Sequence, residues 1–213
     1  MDRHILQIAF IYYLWFLLGI TIHEWGHAWS AHRLGDHTPE TEGRLTLNPL
    51  AHISFIGTIL VPLIVICFSP GFKIIGWGRP VNINVDNFRN RRLGDIICSL
   101  TGPLCNFILA LLVMLIGFAI GRHNPSLEKL CIVGASVNVS LGLFNLIPIP
   151  PLDGSHILKI ILGMREETYV IFSQVGIFIL IIFINLLFFN HCFWIIHHYV
   201  MNGFWQISQL IFR

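Results

Sequence analysis

The sequence predicts an all-α polytopic membrane protein with about five to six transmembrane helices and a small strand-like or re-entrant segment near residues 72–88. Two observations predict this fold class. First, 55% of the 213 residues are hydrophobic and only 11% are charged, so a soluble globule of this size could not cover its surface with polar groups. Second, apolar runs long enough to cross a bilayer alternate with short polar loops. We expect a single transmembrane domain over residues 1–213, with its core at 4–158 and C-terminal helices at 168–213.

The charge and the cysteines narrow the possible partners. The formal net charge is +2 and the basic residues are scattered, so the sequence does not favour nucleic acid as a partner. The five cysteines form no C-x-x-C pair and lie mostly in apolar runs, which indicates buried thiols and not disulfides or metal ligands. The lipid bilayer is the expected environment.

The first apolar run predicts a helix from His4 to Leu34 that contains His23-Glu24-Trp25-Gly26-His27. Two histidines four residues apart lie on one face of a helix, and the carboxylate of Glu24 beside them can act as a base. Ionisable groups are costly within a membrane, which favours a divalent-metal site here. The alternative is that the histidines only hydrogen-bond a neighbouring helix.

The next part of the chain is less regular. Residues 35–50 have the composition of a polar loop. The apolar run from Ala51 to Phe68 is interrupted by Gly57 and Pro62, so it either spans the membrane or re-enters it as a kinked helix. After it, Val81, Ile83 and Val85 alternate with two asparagines, which is the period-two pattern of a short strand.

Two further helices are predicted from Leu93 to Ile120 and from Lys129 to Leu146. The second is followed by the proline-rich stretch Pro148 to Gly154, and prolines interrupt a helix in a membrane only where the backbone lines a cavity or is buried in protein. Asp153 in this stretch is the best candidate for a third metal ligand. The alternative is an ordinary Asp-Gly turn.

A shared metal constrains the topology. His23 and His27 lie near the C-terminal end of the first helix and Asp153 follows the fourth, so these helices must be parallel and an odd number of crossings must separate them. The two apolar segments between them therefore cannot both cross, unless residues 71–90 return through the protein. The metal side would then hold most of the basic residues, namely Arg33, Arg44, Arg89, Arg91, Arg92, Lys159 and Arg165. The other side has Arg3, Arg122 and Lys129, so the positive-inside rule makes the metal side cytoplasmic.

The C-terminal part predicts another helix from Tyr169 to Phe189, followed by a tail from His191 to Arg213 that is rich in aromatic residues and histidines. This composition is typical of a membrane interface and less so of a second metal site. Whether the tail spans, lies flat or forms an oligomer contact is left open by the sequence.

Three segments together resemble the site-2 protease family of intramembrane zinc metalloproteases, in particular its compact bacterial members without PDZ or CBS domains. The segments are the His23–His27 motif, Gly102-Pro103-Leu104-Cys105-Asn106 and residues 145–154. The resemblance covers about Ile20 to Leu158. It implies that His23, His27 and Asp153 bind one Zn²⁺ ion and that Glu24 is the catalytic base.

The same resemblance implies an endopeptidase of the bacterial inner membrane that cuts within or near a transmembrane segment of a protein substrate, in regulated intramembrane proteolysis. Asn106, Asn138 and Asn145 could orient substrate or metal ligands without bringing charge into the membrane; interhelical hydrogen bonds are the alternative. The alternative function is a non-catalytic zinc-binding transporter or scaffold. Such a protein has no need of Glu24 beside the first ligand.

Overall fold

The computed structural model describes residues 3–68, 76–121 and 124–212, except for the side chains of residues 3–5. These residues form eight α-helices, with one π-helix at Phe55–Leu60 and 3-10 turns at Pro49–Ala51 and Val85–Asn87. The α-helices are α1 (Arg3–Leu34), α2 (Thr38–Thr41), α3 (Val61–Phe68), α4 (Arg91–Gly121), α5 (Pro125–Asn145), α6 (Gly154–Ile161), α7 (Glu166–Ile184) and α8 (Leu187–Ile211).

Four of the described helices, α1, α4, α5 and α7, are long and apolar enough to cross a membrane. The predicted all-α polytopic fold is therefore confirmed. The outward face of α4 carries a continuous apolar stripe at helical spacing, which suits contact with lipid tails. The exposed residues of this stripe are Leu93, Ile97, Leu100, Leu104, Ile108, Leu112, Ile116 and Ile120.

The short apolar segment before residue 69 favours the re-entrant alternative. Up to Phe68, where the described part of this segment ends, the π-helix has six residues and α3 has eight, which together give about 21 Å against a hydrocarbon core of about 30 Å. Gly57 and Pro62, which interrupt the run, are both buried. Among the described helices that are long enough to cross a membrane, α4 alone then lies between α1 and α5 in the chain.

Side chains packed against two glycines show the relative directions of the helices. Trp15 packs on Gly134, and Gly19 packs against Asn138, so α1 and α5 run parallel. Helix α4 runs antiparallel to both. Its later residue Asn106 contacts Gly19 while its earlier residue Cys98 contacts His27. The end of α1 and the end of α5 therefore lie on the same side, as the shared-metal argument required.

The predicted bounds of the helix near residues 169–189 were wrong. Helix α7 begins at Glu166 and ends at Ile184, and α8 begins at Leu187, whereas the sequence predicted one helix from Tyr169 to Phe189. Asn185 ends α7, and its side-chain amide donates to the carbonyl of Ile181 at 2.7 Å. The tail is a packed helix, with Trp205 of α8 edge-on to Phe118 of α4 at 4.9 Å between centroids.

The segment with the strand pattern is extended but pairs with no other strand among the described residues. Residues 76–84 are irregular, although Val81, Ile83 and Val85 are half-buried while the intervening asparagines are exposed. The expected alternation is thus present without a β-ladder. Residues 72–75 of the predicted segment lie outside the described residues.

Candidate metal centre

Two imidazoles from the C-terminal half of α1 meet one carboxylate from the segment that follows α5. Nε2 of His23 lies 3.1 Å from one oxygen of Asp153, and Nε2 of His27 lies 3.3 Å from the other. The two Nε2 atoms are 3.1 Å apart, and both histidines are buried. The structure therefore brings together the three candidate metal ligands that the sequence predicted.

Hydrogen bonds at the far side of each ring fix its orientation. Nδ1 of His27 donates to the carbonyl of Cys98 at 2.9 Å. Nδ1 of His23 donates to Oδ1 of Asn106 at 2.8 Å. With their protons on Nδ1, both rings direct the lone pair of Nε2 toward Asp153.

The carboxylate of Asp153 also fits a cation. Asp153 is the residue before α6, but its side chain makes no capping hydrogen bond to that helix. Its buried Oδ2 atom has no hydrogen-bond partner in the described part of the chain. The two Nε2 atoms are 3.1 Å apart, so their lone pairs repel each other and the nearby carboxylate oxygens. A positive charge among these atoms would remove this repulsion and satisfy the buried oxygen. The donor set, two imidazole nitrogens and one carboxylate oxygen, is one that zinc favours.

Gly102 provides the space for this arrangement, and the sequence reading gave it no specific role. A Cβ atom on Gly102 would lie 2.3 Å from Nε2 of His27 and 2.8 Å from the ring of His23. Any side chain here would occupy the position of the imidazoles. The carbonyl of Cys98 was also missed, because a backbone acceptor has no signal in the sequence.

Glu24 is adjacent to His23 in the sequence, and its side chain contacts residues 76–84, which we call the extended segment. Its Oε2 atom accepts a hydrogen bond from the backbone N–H of Val81 at 3.1 Å. Gly78 of the same segment is close enough that a Cβ there would lie 3.3 Å from Oε1 of Glu24. The half-buried carboxylate is thus oriented by a backbone group that the sequence reading had not assigned.

The extended segment is held in place by a second buried carboxylate. Asp36, just after α1, accepts hydrogen bonds from the backbone N–H of Asn84 and the side chain of Asn87, both at 2.8 Å. Burial alone would raise the pKa of Asp36, but hydrogen bonds from Thr38, Asn87 and Asn84 outweigh it and hold the pKa below its ordinary value.

The three candidate asparagines have different surroundings. Asn106 is fully buried and, besides contacting His23, donates to the carbonyl of Gly19 at 3.0 Å and to Oδ1 of Asn138 at 3.1 Å. Asn138 thus forms an interhelical hydrogen bond with Asn106 and is linked to His23 only through that residue. Asn145 does not join this network, since its amide donates to the carbonyl of Leu141 in its own helix at 3.0 Å.

Comparisons with known proteins agree with this geometry. The sequence model of Peptidase family M50 matches residues 120–184. The chain is 34% identical over 179 residues to "Putative zinc metalloprotease YwhC" of Bacillus subtilis, which covers 79% of this chain and 78% of the relative. The chain belongs to peptidase family M50. This is the site-2 protease family that the sequence resembles.

A second relative, which matches over a shorter length, carries a corresponding description. Rip2 of Mycolicibacterium smegmatis, also described as a zinc metalloprotease, is 34% identical over 148 residues, which is 67% of this chain and 54% of that protein. No solved structure matches the chain. As an M50 member with several membrane-spanning helices, the protein is a multi-pass membrane zinc metalloprotease, and the alternative of a non-catalytic transporter or scaffold is not favoured.

Proposed function

We propose that His23, His27 and Asp153 bind a single zinc ion and that Glu24 is the catalytic base of an intramembrane endopeptidase. The support is that the two Nε2 atoms and the Asp153 carboxylate lie within 3.1–3.3 Å of one another. No other described side chain competes for the buried Oδ2 atom of Asp153 by hydrogen bonding.

The positions of these groups suggest the chemical role of each. A bound zinc ion supplies Lewis acidity, which lowers the pKa of water and polarises a carbonyl group. Glu24 takes the proton of the attacking water and later gives it to the leaving amine. The N–H of Val81 orients the carboxylate during both transfers. Asn106 keeps the ring of His23 in the tautomer that a metal requires.

The depth of the site supports a substrate within the membrane. Glu24 lies ten residues before the end of α1, which corresponds to about 15 Å along the helix axis. Most basic residues of the connecting segments lie on the metal side, so we place this side in the cytoplasm of a bacterial inner membrane. A transmembrane segment that unwinds near this face could reach the site, which is the requirement for regulated intramembrane proteolysis.

The extended segment is the proposed docking strand for the unwound substrate. It passes over Glu24, and Asn82 at its centre has an exposed side chain that donates to Glu42 at 2.9 Å. Among the described residues, the backbone N–H of Asn82 has no hydrogen-bond acceptor. A peptide can add to such an edge by main-chain hydrogen bonds. The alternative, a plain interfacial loop, predicts no role for this N–H group.

The Glu24→Gln variant tests the assignment of the base. The amide keeps the size of the side chain but cannot accept the proton. We expect the variant to retain the zinc content of the wild type and to leave epitope-tagged single-span proteins uncut when they are co-expressed. Cleavage at the wild-type rate would contradict the role of Glu24.

A proline at position 82 tests the docking strand. Asn82→Pro removes the free N–H, and we expect cleavage to fall by about tenfold or more while zinc content is unchanged. Asn82→Ala is the matched control, because it loses only the side-chain hydrogen bond to Glu42 and should cleave normally. If Asn82→Pro cleaves as fast as Asn82→Ala, the docking hypothesis is wrong.

A further inference from the structure

A second group of metal-binding side chains lies where α1 ends. His32 is in the last turn of α1, and His37 and Glu40 follow in the loop and in α2. Nδ1 of His32 and Nδ1 of His37 lie 3.2 Å and 3.1 Å from the same oxygen of Glu40. One potential ligand atom from each of the three residues lies within 4.8 Å of the others.

The geometry of this group repeats that of the buried centre. The rings of His32 and His37 have centroids 4.7 Å apart and an interplanar angle of 89°. The rings of His23 and His27 have the same centroid distance and an angle of 81°. Two ligands about 2.1 Å from a tetrahedral zinc ion lie about 3.4 Å from each other. The separations between the histidine nitrogens and the Glu40 oxygen are close to that value.

Ordinary ion pairing does not account for all three side chains. His37 forms a hydrogen bond with Glu40. The buried Nδ1 atom of His32, by contrast, makes no hydrogen bond with any described residue, although the Glu40 oxygen is 3.2 Å away. The Glu40 oxygen is therefore close to Nδ1 of His32 but does not lie in the direction in which this nitrogen donates or accepts a hydrogen bond.

We propose that His32, His37 and Glu40 form a second metal site, which binds Zn²⁺ more weakly than the buried centre. Two imidazoles and a carboxylate are the donors that zinc accepts, with water completing the coordination. The side chains of His37 and Glu40 are 64% and 52% exposed, so the ion exchanges with solvent. This site is distinct from the proposed catalytic centre and does not depend on that assignment.

The proposed site lies further along α1 than the buried centre. His32 is five residues beyond His27 on α1, which is about 7.5 Å further toward the end of the helix. An ion held there lies on the solvent side of the buried centre.

Zinc titration of the full-length protein in detergent, in competition with a chromophoric chelator, tests the proposal. We expect the wild type to bind two equivalents in a tight and a weak class. His37→Ala and Glu40→Gln should weaken the second class at least tenfold and keep the first. Glu42→Gln is the matched control, since this carboxylate lies on the same loop and contacts Asn82 instead; it should keep both classes.

A variant of the buried centre separates this proposal from the catalytic one. His23→Ala should lose the tight class and retain the weak class, which shows that the two assignments can fail independently. A wild type that binds one equivalent, or a His37→Ala and a Glu40→Gln protein that both keep the second equivalent unchanged, would overturn the second site.

Discussion

At the scale of single residues, the candidate metal centre depends on a side chain that is not itself a candidate ligand. Asn106 is fully buried and joins three helices, through His23 and Gly19 of α1 and Asn138 of α5. Its carbonyl oxygen faces His23 because its amide nitrogen is occupied by the other two acceptors. The orientation of the imidazole is therefore set by a network and not by the ring alone.

Asn106→Ala should weaken zinc binding by about 10–100-fold, because Nδ1 of His23 loses its acceptor and the ring its preferred tautomer. Zinc affinity measured by chelator competition checks this. The matched control is Asn145→Ala, which removes an amide bonded within its own helix and should leave zinc affinity unchanged. Equal affinities in the two variants would rule out the proposed role of Asn106.

The residues that sequence reasoning could find are those whose spacing carries information. His23, Glu24 and His27 follow from a five-residue pattern, and Asp153 follows from the interruption of a membrane helix by prolines. Gly102, the carbonyl of Cys98 and the N–H of Val81 could not be found in this way. They act through an absent side chain or through backbone groups, and every residue has such groups. Only packing shows which ones face the site.

At the scale of elements, the extended segment over Glu24 is anchored at its far end by Asp36. Its N–H groups at Val81 and Asn84 donate to carboxylates and not to a neighbouring strand. This explains why a period-two sequence forms no ladder among the described residues. The strand pattern was visible in the sequence, but the partners that replace a strand are distant in the chain.

The anchor at Asp36 should be pH-dependent. A carboxylate with a lowered folded-state pKa stabilises the fold fully above its unfolded value of about 3.9, and the stabilisation is lost as the pH falls through the folded pKa. The protection of the Asn84 amide, that is, its exchange rate relative to the rate in an unfolded chain at the same pH, should therefore fall below about pH 4.

The Asp36→Asn variant should show the same loosening at neutral pH. Its exchange at Asn84 should be about tenfold faster or more than in the wild type, since a hydrogen bond to a charged acceptor contributes about 1.5–3 kcal/mol. Asp86→Asn is the control. Asp86 is exposed and pairs with Arg91 at 3.0 Å, so its loss should not change exchange at Asn84. Unchanged exchange in Asp36→Asn would contradict the anchoring role.

At the scale of the whole molecule, the parallel directions of α1 and α5 are what bring an early motif and a late aspartate together. A shared metal requires an odd number of crossings between them, and α4 is the one described helix between them that is long enough to cross. The break at Asn185 was not predicted, because the apolar run continues through it and a single asparagine is a weak signal within a membrane helix.

The topology predicts which loops share a side. Single cysteines at Glu42 and Glu167, in a variant without the natural cysteines, should react with a membrane-impermeant maleimide only after cells are opened. A cysteine at Ser126, at the other end of α5, should react in intact cells. Labelling of the Glu42 position in intact cells would contradict the cytoplasmic assignment.

The central claim is that Asp153 completes a zinc site with His23 and His27, and zinc retained by Asp153→Ala after dialysis in zinc-free buffer tests it most directly. The wild type and an Asp86→Ala control should each retain one equivalent. Asp153→Ala should retain almost none, because two buried imidazoles lose their only carboxylate partner among the described residues. A full equivalent of zinc in Asp153→Ala would show that other residues hold the metal.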